Sequence, residues 1–153
     1  MNTDKIRNEI ALPGAKETGA FERPDLRQGG EPKLLFKAET EKVIGFAFDI
    51  LNEVGHGFHE KIYENALVVS FKINRIAFEQ QRRFPVSFRG EQVGEFAPDL
   101  IAFGTVLVDT KVIDRITDIE RGQMLNYLRI AKLRVGLILN FKKPKLEFER
   151  VVL

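Results

Sequence analysis

The stretch from Pro98 to Val112 constrains this chain more than any other. Its second half, Val106-Leu107-Val108-Asp109-Thr110-Lys111-Val112, is apolar enough for a buried strand, yet it carries a carboxylate and an ammonium two positions apart. Residues i and i+2 of a strand share a face, so Asp109 and Lys111 project the same way. Charges on an otherwise apolar strand are costly unless they are paired, hydrated or holding a metal. Asp99 ends or opens the preceding strand, and a short turn at Gly104-Thr105 would bring it alongside Asp109. Two neighbouring carboxylates suit a hard divalent cation such as Mg2+. A lysine beside that ion could orient a water or stabilise charge on a phosphate. Taken alone, Asp-x-Lys is also what an exposed ion pair at a strand edge looks like, so other parts of the chain must agree.

At 153 residues the chain is one domain, long enough to bury a core without covalent staples. With no cysteine it has no disulfide, no thiolate metal site and no cysteine nucleophile. It shows no hydrophobic leader and no long apolar stretch, so a soluble, cytoplasmic protein without a membrane partner is expected. A formal charge of +2 does not advertise a strong electrostatic grip on nucleic acid. Two local basic clusters, Arg82-Arg83 with Arg89 and Lys142-Lys143-Lys145, read either as phosphate contacts or as solvated strand ends.

Residues 1–37 mix glycine, proline and alternating charge with little periodicity, which predicts an irregular arm preceding a domain over 38–153. Apolar residues at helical spacing predict a helix over 40–54, capped by Thr40 and stopped by Gly55-His56-Gly57. A second helix is expected over 59–74. Ile62, Ala66, Val69 and Ile73 lie on one side of it, with Tyr63, Leu67 and Phe71 on the other, which predicts a helix buried between layers. Strands follow at 76–80, 84–88 and 92–96, with a turn at Arg89-Gly90-Glu91. After the two acid-bearing strands come a helix over 117–131, capped by Thr117 or Asp118, and strands at 135–140 and 146–151. The order predicts an α/β domain with a mixed sheet flanked by helices.

Three further groups are candidates. Glu60 stands in the first turn of the second helix, where the helix dipole favours an anion; it serves that helix end or reaches toward a site. Gln123 and Tyr127 share a face of the third long helix with Ile116, Ile119, Glu120 and Ile130. Such an amide is either a satisfied core group or one that faces the carboxylates. His56 and His59 flank the first interhelical turn, but two histidines without a third ligand at suitable spacing do not make a metal site.

With these residues in place, the chain resembles the GxxExxY proteins, assigned to the PD-(D/E)XK nuclease-like superfamily. Gly57-Phe58-His59-Glu60-Lys61-Ile62-Tyr63 fits the naming motif, and Phe84-Pro85-Val86-Ser87-Phe88-Arg89-Gly90, Asp99-Leu100, Val108-Asp109-Thr110-Lys111, Gln123, Tyr127-Leu128 and Leu139-Asn140-Phe141 follow in order. The resemblance covers roughly residues 40–153 and leaves the arm unmatched. It implies a restriction-endonuclease-like core, a central mixed β-sheet flanked by α-helices. It also implies a nuclease in which Asp99, Asp109 and the helix acid Glu60 bind Mg2+ or Mn2+, Lys111 assists the attacking water, and Gln123 and Tyr127 form a Gln-x-x-x-Tyr helix pattern. Asp109 departs from the glutamate more common in the family and sets its carboxylate back by one methylene. The expected function is therefore metal-dependent hydrolysis of nucleic-acid phosphodiesters, DNA before RNA. The alternative is a catalytically silent accessory module on the same fold, acting in a complex or as a homodimer that supplies the missing DNA surface.

Overall fold

The computed structural model describes Glu9–Ile10 and residues 35–153. In chain order the elements are β1 (Glu9–Ile10), α1 (Lys37–Val54), α2 (Glu60–Ile73), β2 (Phe78–Gln80), β3 (Phe84–Phe88) and β4 (Glu91–Phe96). They continue with β5 (Leu100–Ala102), β6 (Val106–Lys111), α3 (Asp118–Ala131), β7 (Val135–Asn140) and β8 (Glu147–Val152). Of the arm expected over 1–37, Glu9–Ile10 runs parallel to β8 at the edge of the sheet; most of that reading lies outside the described residues.

The two most continuously apolar runs, β6 and β7, lie side by side in parallel, with Val106 opposite Val135 and Lys111 opposite Asn140. A parallel pair needs a crossover, and α3 supplies it. Such strands are covered on both faces, which is why they read as runs of Val, Leu and Ile rather than as an alternation. The remaining strands complete a six-stranded mixed sheet in the order β1-β8-β7-β6-β5-β2. Val106, Val108, Leu137 and Leu139 pack under α1 and α2. Leu107 and Ile138 pack under α3 with Met124, Leu125 and Leu128. Alternation along each strand thus puts α1 and α2 on one face and α3 on the other, the mixed sheet flanked by helices that the sequence predicted.

Gly136 permits the close approach of α3. A Cβ there would lie 2.3 Å from Sδ and 2.9 Å from Cγ of the buried Met124, so any larger residue would force that side chain to shift. A capping box fixes where α3 starts: Ile119 N donates to the Thr117 hydroxyl, and the Glu120 carboxylate accepts from Thr117 N. Arg121 then ties the helix to β8 through a two-pronged ion pair with Glu149.

Several expectations need correction. Helix α1 starts at Lys37, not at residue 40, and Thr40 is no cap; its buried hydroxyl bonds back to the carbonyls of Phe36 and Lys37. Helix α2 is buried on one side only. Tyr63, Glu64, Leu67, Val68 and Phe71 face the core, whereas Ile62 and Val69 are exposed and Ile73 is 75% exposed. Apolar residues on two sides of a helix do not guarantee two covering layers. Of the residues expected on the face of Gln123, Ile116 is buried but Ile119 is 80% exposed, and the buried residues of α3 are Met124, Leu125 and Leu128. Shorter shifts occur at strand ends: β2 begins at Phe78, β4 at Glu91 and β8 at Glu147.

The hairpin β3–β4 forms a separate two-stranded sheet. Its turn needs only Arg89 and Gly90, both at positive φ (49° and 82°), with Phe88 paired to Glu91. Among the described residues no helix is long and apolar enough to cross a membrane.

Candidate functional site

The antiparallel pair β5–β6 sets the geometry. Leu100 lies opposite Val108, so Asp99, just before β5, comes to the edge of the pair beside Asp109. Asp109 alternates with Leu107 toward the face that carries α3, while the Asp99 side chain stays at the edge of the sheet and reaches the Thr110 hydroxyl. Asp99 is fixed by β6 itself, for its Oδ2 accepts from both the backbone N and the hydroxyl of Thr110, each at 2.9 Å. The Lys111 ammonium lies 3.3 Å from Oδ2 of Asp109 and 3.4 Å from Oε1 of Gln123 on α3. Four of the six residues singled out from sequence therefore meet directly: Asp99, Asp109, Lys111 and Gln123.

Tyr127, one turn beyond Gln123, lies within the field of Asp109, Asp99 and Lys111. Glu60 sits apart from the aspartates. As the first residue of α2 it accepts from Val112 N at 3.2 Å, just past Lys111, whose charge it helps to hold. Asn140 clamps the same exit from the other side, accepting from Ile113 N and donating to Ile113 O. Among the described residues no three acidic or histidine side chains converge as a ready-made cation cage. The histidines have other work. The His59 imidazole caps α2 by accepting from Lys61 N, and the His56 ring contacts the Lys142 carbonyl.

Glu60 is placed by a clasp that Gly57 and Tyr63 form around it. Gly57, at φ 82°, donates its N–H to the Phe141 carbonyl. The buried Tyr63 ring stacks on Phe141 at 4.2 Å. Its hydroxyl donates to Gly55 O at 2.8 Å and accepts from Phe58 N at 3.0 Å, which pins the loop between α1 and α2 to the helix that follows.

Electrostatics separate the two aspartates. Burial pushes the Asp109 carboxyl up from its ordinary value of 3.8 to about 7. The Lys111 ammonium opposes that shift, while the charge and hydrogen bonding of Asp99 add to it. Burial pulls Lys111 down, but Asp109, Glu60 and Tyr127 outweigh it, and the ammonium ends above its usual range. The Tyr127 hydroxyl is pushed up by burial and then by Asp109 and Asp99, with Lys111 and Gln123 opposing, so it stays a hydrogen-bond donor at neutral pH.

The sequence reading missed one group. Glu64 is only 2% exposed, and its carboxylate accepts from Lys61 Nζ at 2.6 Å, Gln80 Nε2 at 2.6 Å and Gln81 Nε2 at 2.9 Å. Gln81 in turn reaches Asp99: its backbone N donates to Asp99 O at 3.1 Å and its amide to Oδ1 at 3.4 Å. Gln81 holds φ at 54°, a left-handed conformation costly for a residue other than glycine. A glutamate four positions after Glu60, between the core residues Tyr63 and Leu67, was the available signal.

Asp99 and Asp109 offer hard oxygen donors at the end of a strand pair. Mg2+ commonly takes one or two protein carboxylates and completes its shell with water and substrate phosphate, so a pair rather than a cage fits it. A carboxyl as unwillingly ionised as Asp109 is also one that a bound cation would bring down.

The family model described as the PD-(D/E)XK nuclease superfamily matches residues 37–151, from the start of α1 into β8. No curated protein matches the sequence. A solved structure described as the crystal structure of SSO0001 is 14% identical, with a TM-score of 0.47 over 76% of this chain and 59% of that one. With three quarters of its length matched to one model, the chain belongs to the PD-(D/E)XK nuclease superfamily.

Proposed function

We propose that the protein is a Mg2+-dependent nuclease of the GxxExxY branch, hydrolysing phosphodiester bonds of nucleic acid, DNA before RNA, at the Asp99–Asp109–Lys111 cluster. The observation that carries this reading is the meeting of the three groups, with Asp99 fixed by Thr110 and Lys111 held 3.3 Å from Asp109. Asp99 and Asp109 would hold the ion, with Glu60 on the flank. When bound, the ion supplies a lowered water pKa and neutralises charge on a phosphoryl oxygen.

The chain's own residues have separable roles. Thr110 occupies one oxygen of Asp99 and so fixes the direction of the other. Lys111, kept cationic by Asp109 and Glu60, donates to the attacking water or to the anionic phosphorane oxygens. Gln123 orients that ammonium by accepting from it. Tyr127 remains protonated and offers its hydroxyl toward the same space.

A second reading, a silent binding module, is favoured by the lack of three converging ligands among the described residues and by the ion pair that Lys111 already makes with Asp109. The two separate on labelled single- and double-stranded DNA and RNA, incubated with wild type and Asp109→Asn in Mg2+, in Mn2+ and in EDTA. Cleavage that needs metal and disappears in the variant establishes the nuclease. No cleavage by wild type under any condition sinks it in favour of the module.

A further inference from the structure

The nuclease reading leaves the β3–β4 hairpin without a task, although it abuts the site. Phe96 of β4 stacks on Tyr127 at 4.6 Å and 11°, and Phe84 of β3 stacks on Phe96 at 5.4 Å and 24°. An aromatic column thus starts beside the carboxylates and ends on the hairpin. Alternation along β3 puts Phe84, Val86 and Phe88 on one face, so the column continues outward over roughly 13 Å at the usual rise of a strand. Its cover thins with distance: Phe84 and Val86 are half-buried, whereas Phe88 is 62% exposed. A register shift in the hairpin leaves Val93 without a paired residue, and it is 65% exposed.

Two arginines lie over these rings. The Arg82 guanidinium stands 4.9 Å from the Phe84 centroid and that of Arg89 5.1 Å from Phe88. Arg82 also pairs with Glu79 at 3.1 Å, and Arg83 approaches Glu95 at 3.9 Å. Arg89 occupies the first position of the turn at φ 49°, where asparagine, aspartate or glycine would fit with less strain. A cation is held at the hairpin tip in spite of that backbone cost.

We infer that this hairpin is the guide for an unpaired nucleic-acid strand, Phe88 stacking on a base while Arg89 and Arg82 meet the backbone and lead it along Phe84 toward Tyr127 and the carboxylates. The inference rests on the nuclease reading and names its substrate class. Exposed aromatic rings with flanking guanidiniums suit bases whose faces are open. Inside a duplex those faces are covered by neighbouring pairs, so single strands and frayed ends are preferred over blunt duplex. The local charge agrees without being extreme: three arginines against Glu91 and Glu95 between residues 82 and 96.

The test is fluorescence anisotropy of labelled oligothymidylate, oligouridylate and a blunt DNA duplex, with Ca2+ in place of Mg2+. It compares wild type with Phe88→Ala and Arg89→Asn. Wild type should prefer a single strand, with the two oligonucleotides showing whether the strand is DNA or RNA. Phe88→Ala should weaken single-strand binding at least about fivefold and change duplex binding little. Arg89→Asn should lower the slope of log affinity against log salt by about 0.7. Because asparagine suits the turn, that variant should unfold at the same or a higher temperature, so a folding defect cannot mimic the loss. Wild-type affinity and slope in both variants, equal losses on duplex, or no binding by wild type would overturn the inference. Neither substitution touches Asp99, Asp109 or Lys111, so the two readings fail separately. Binding through Phe88 without cleavage sinks the nuclease alone; metal-dependent cleavage of single strands with unchanged KM in Phe88→Ala sinks the guide alone.

Discussion

Among the described residues, the hairpins β3–β4 and β5–β6 have closely similar turns and opposite surroundings. The β5–β6 connection passes through Phe103 and Gly104 at φ 59° and 68°; the β3–β4 connection passes through Arg89 and Gly90 at φ 49° and 82°. Each pairs a bulky residue with a glycine in the left-handed region. Yet β5 and nearly all of β6 are buried, whereas β3 and β4 stand largely in solvent. Turn chemistry decides that a hairpin forms, and the side chains between the turns decide where it goes. Charges on the buried hairpin are pre-set by protein groups, as Thr110 sets Asp99 and Asp109 sets Lys111. On the exposed hairpin the pairing is looser: Arg83 approaches Glu95 only at 3.9 Å and Arg89 rests on the exposed Phe88 ring.

The most forceful way to break this contrast is to remove the charge that burial opposes. Asp109→Asn should lower cleavage at least about a hundredfold, yet stabilise the fold at neutral pH. The folded-state value of about 7 lies above the ordinary 3.8, so the contribution of Asp109 to stability is fully present below pH 3.8 and is lost as pH rises through 7. At about 1.4 kcal/mol per unit, the loss reaches about 4 kcal/mol. Denaturant titrations at pH 5 and pH 8 should show the variant gaining on wild type at the higher pH; a constant difference would mean that burial does not strain this carboxyl.

A smaller effect follows from the seating of α3 on β7. Gly136→Ala should cost about 1–3 kcal/mol, because its Cβ meets Met124 at a distance that something must yield. It should also disturb the Gln123–Lys111 contact that α3 carries. An unchanged melting temperature together with unchanged activity would contradict the role given to that glycine. Tyr63→Phe removes the hydroxyl bridge between Gly55 and Phe58 and should cost about 1–2 kcal/mol in the same assay, with activity falling less than in any substitution at Asp109. The exposed hairpin should barely register: Arg89→Asn should shift stability by under about 1 kcal/mol, in the favourable direction. A large destabilisation there would erase the distinction between the two hairpins.

The same contrast separates what is legible in the sequence from what is not. The β5–β6 pair was legible because a period of two, with charges amid Val and Leu, leaves few alternatives. The buried strand β7 and the helix α3 are legible from a continuous apolar run and a capping threonine, whereas the parallel pairing of β7 with β6 emerges only in the fold. Glu64 was not legible, because its partners Gln80 and Gln81 lie 16 and 17 residues away and meet it only once β2 docks on the sheet. The outer side of α2 was misread for a related reason. Ile62, Val69 and Ile73 carry the same pattern whether or not another layer covers them, and local spacing holds no record of that layer. At the site, spacing brought out the acids and Lys111, while the relay from Glu64 through Gln81 to Asp99 depends wholly on tertiary contacts.

If Asp99 and Asp109 together bind a divalent cation, calorimetric titration of Mg2+ and Mn2+ into wild type and Asp109→Asn will reveal it. Wild type should show one site, with proton release that grows as pH falls from 8 toward 6 because Asp109 must ionise to bind, and the variant should lose that site. Equal binding in both proteins, or no binding in wild type, would contradict binding by that pair.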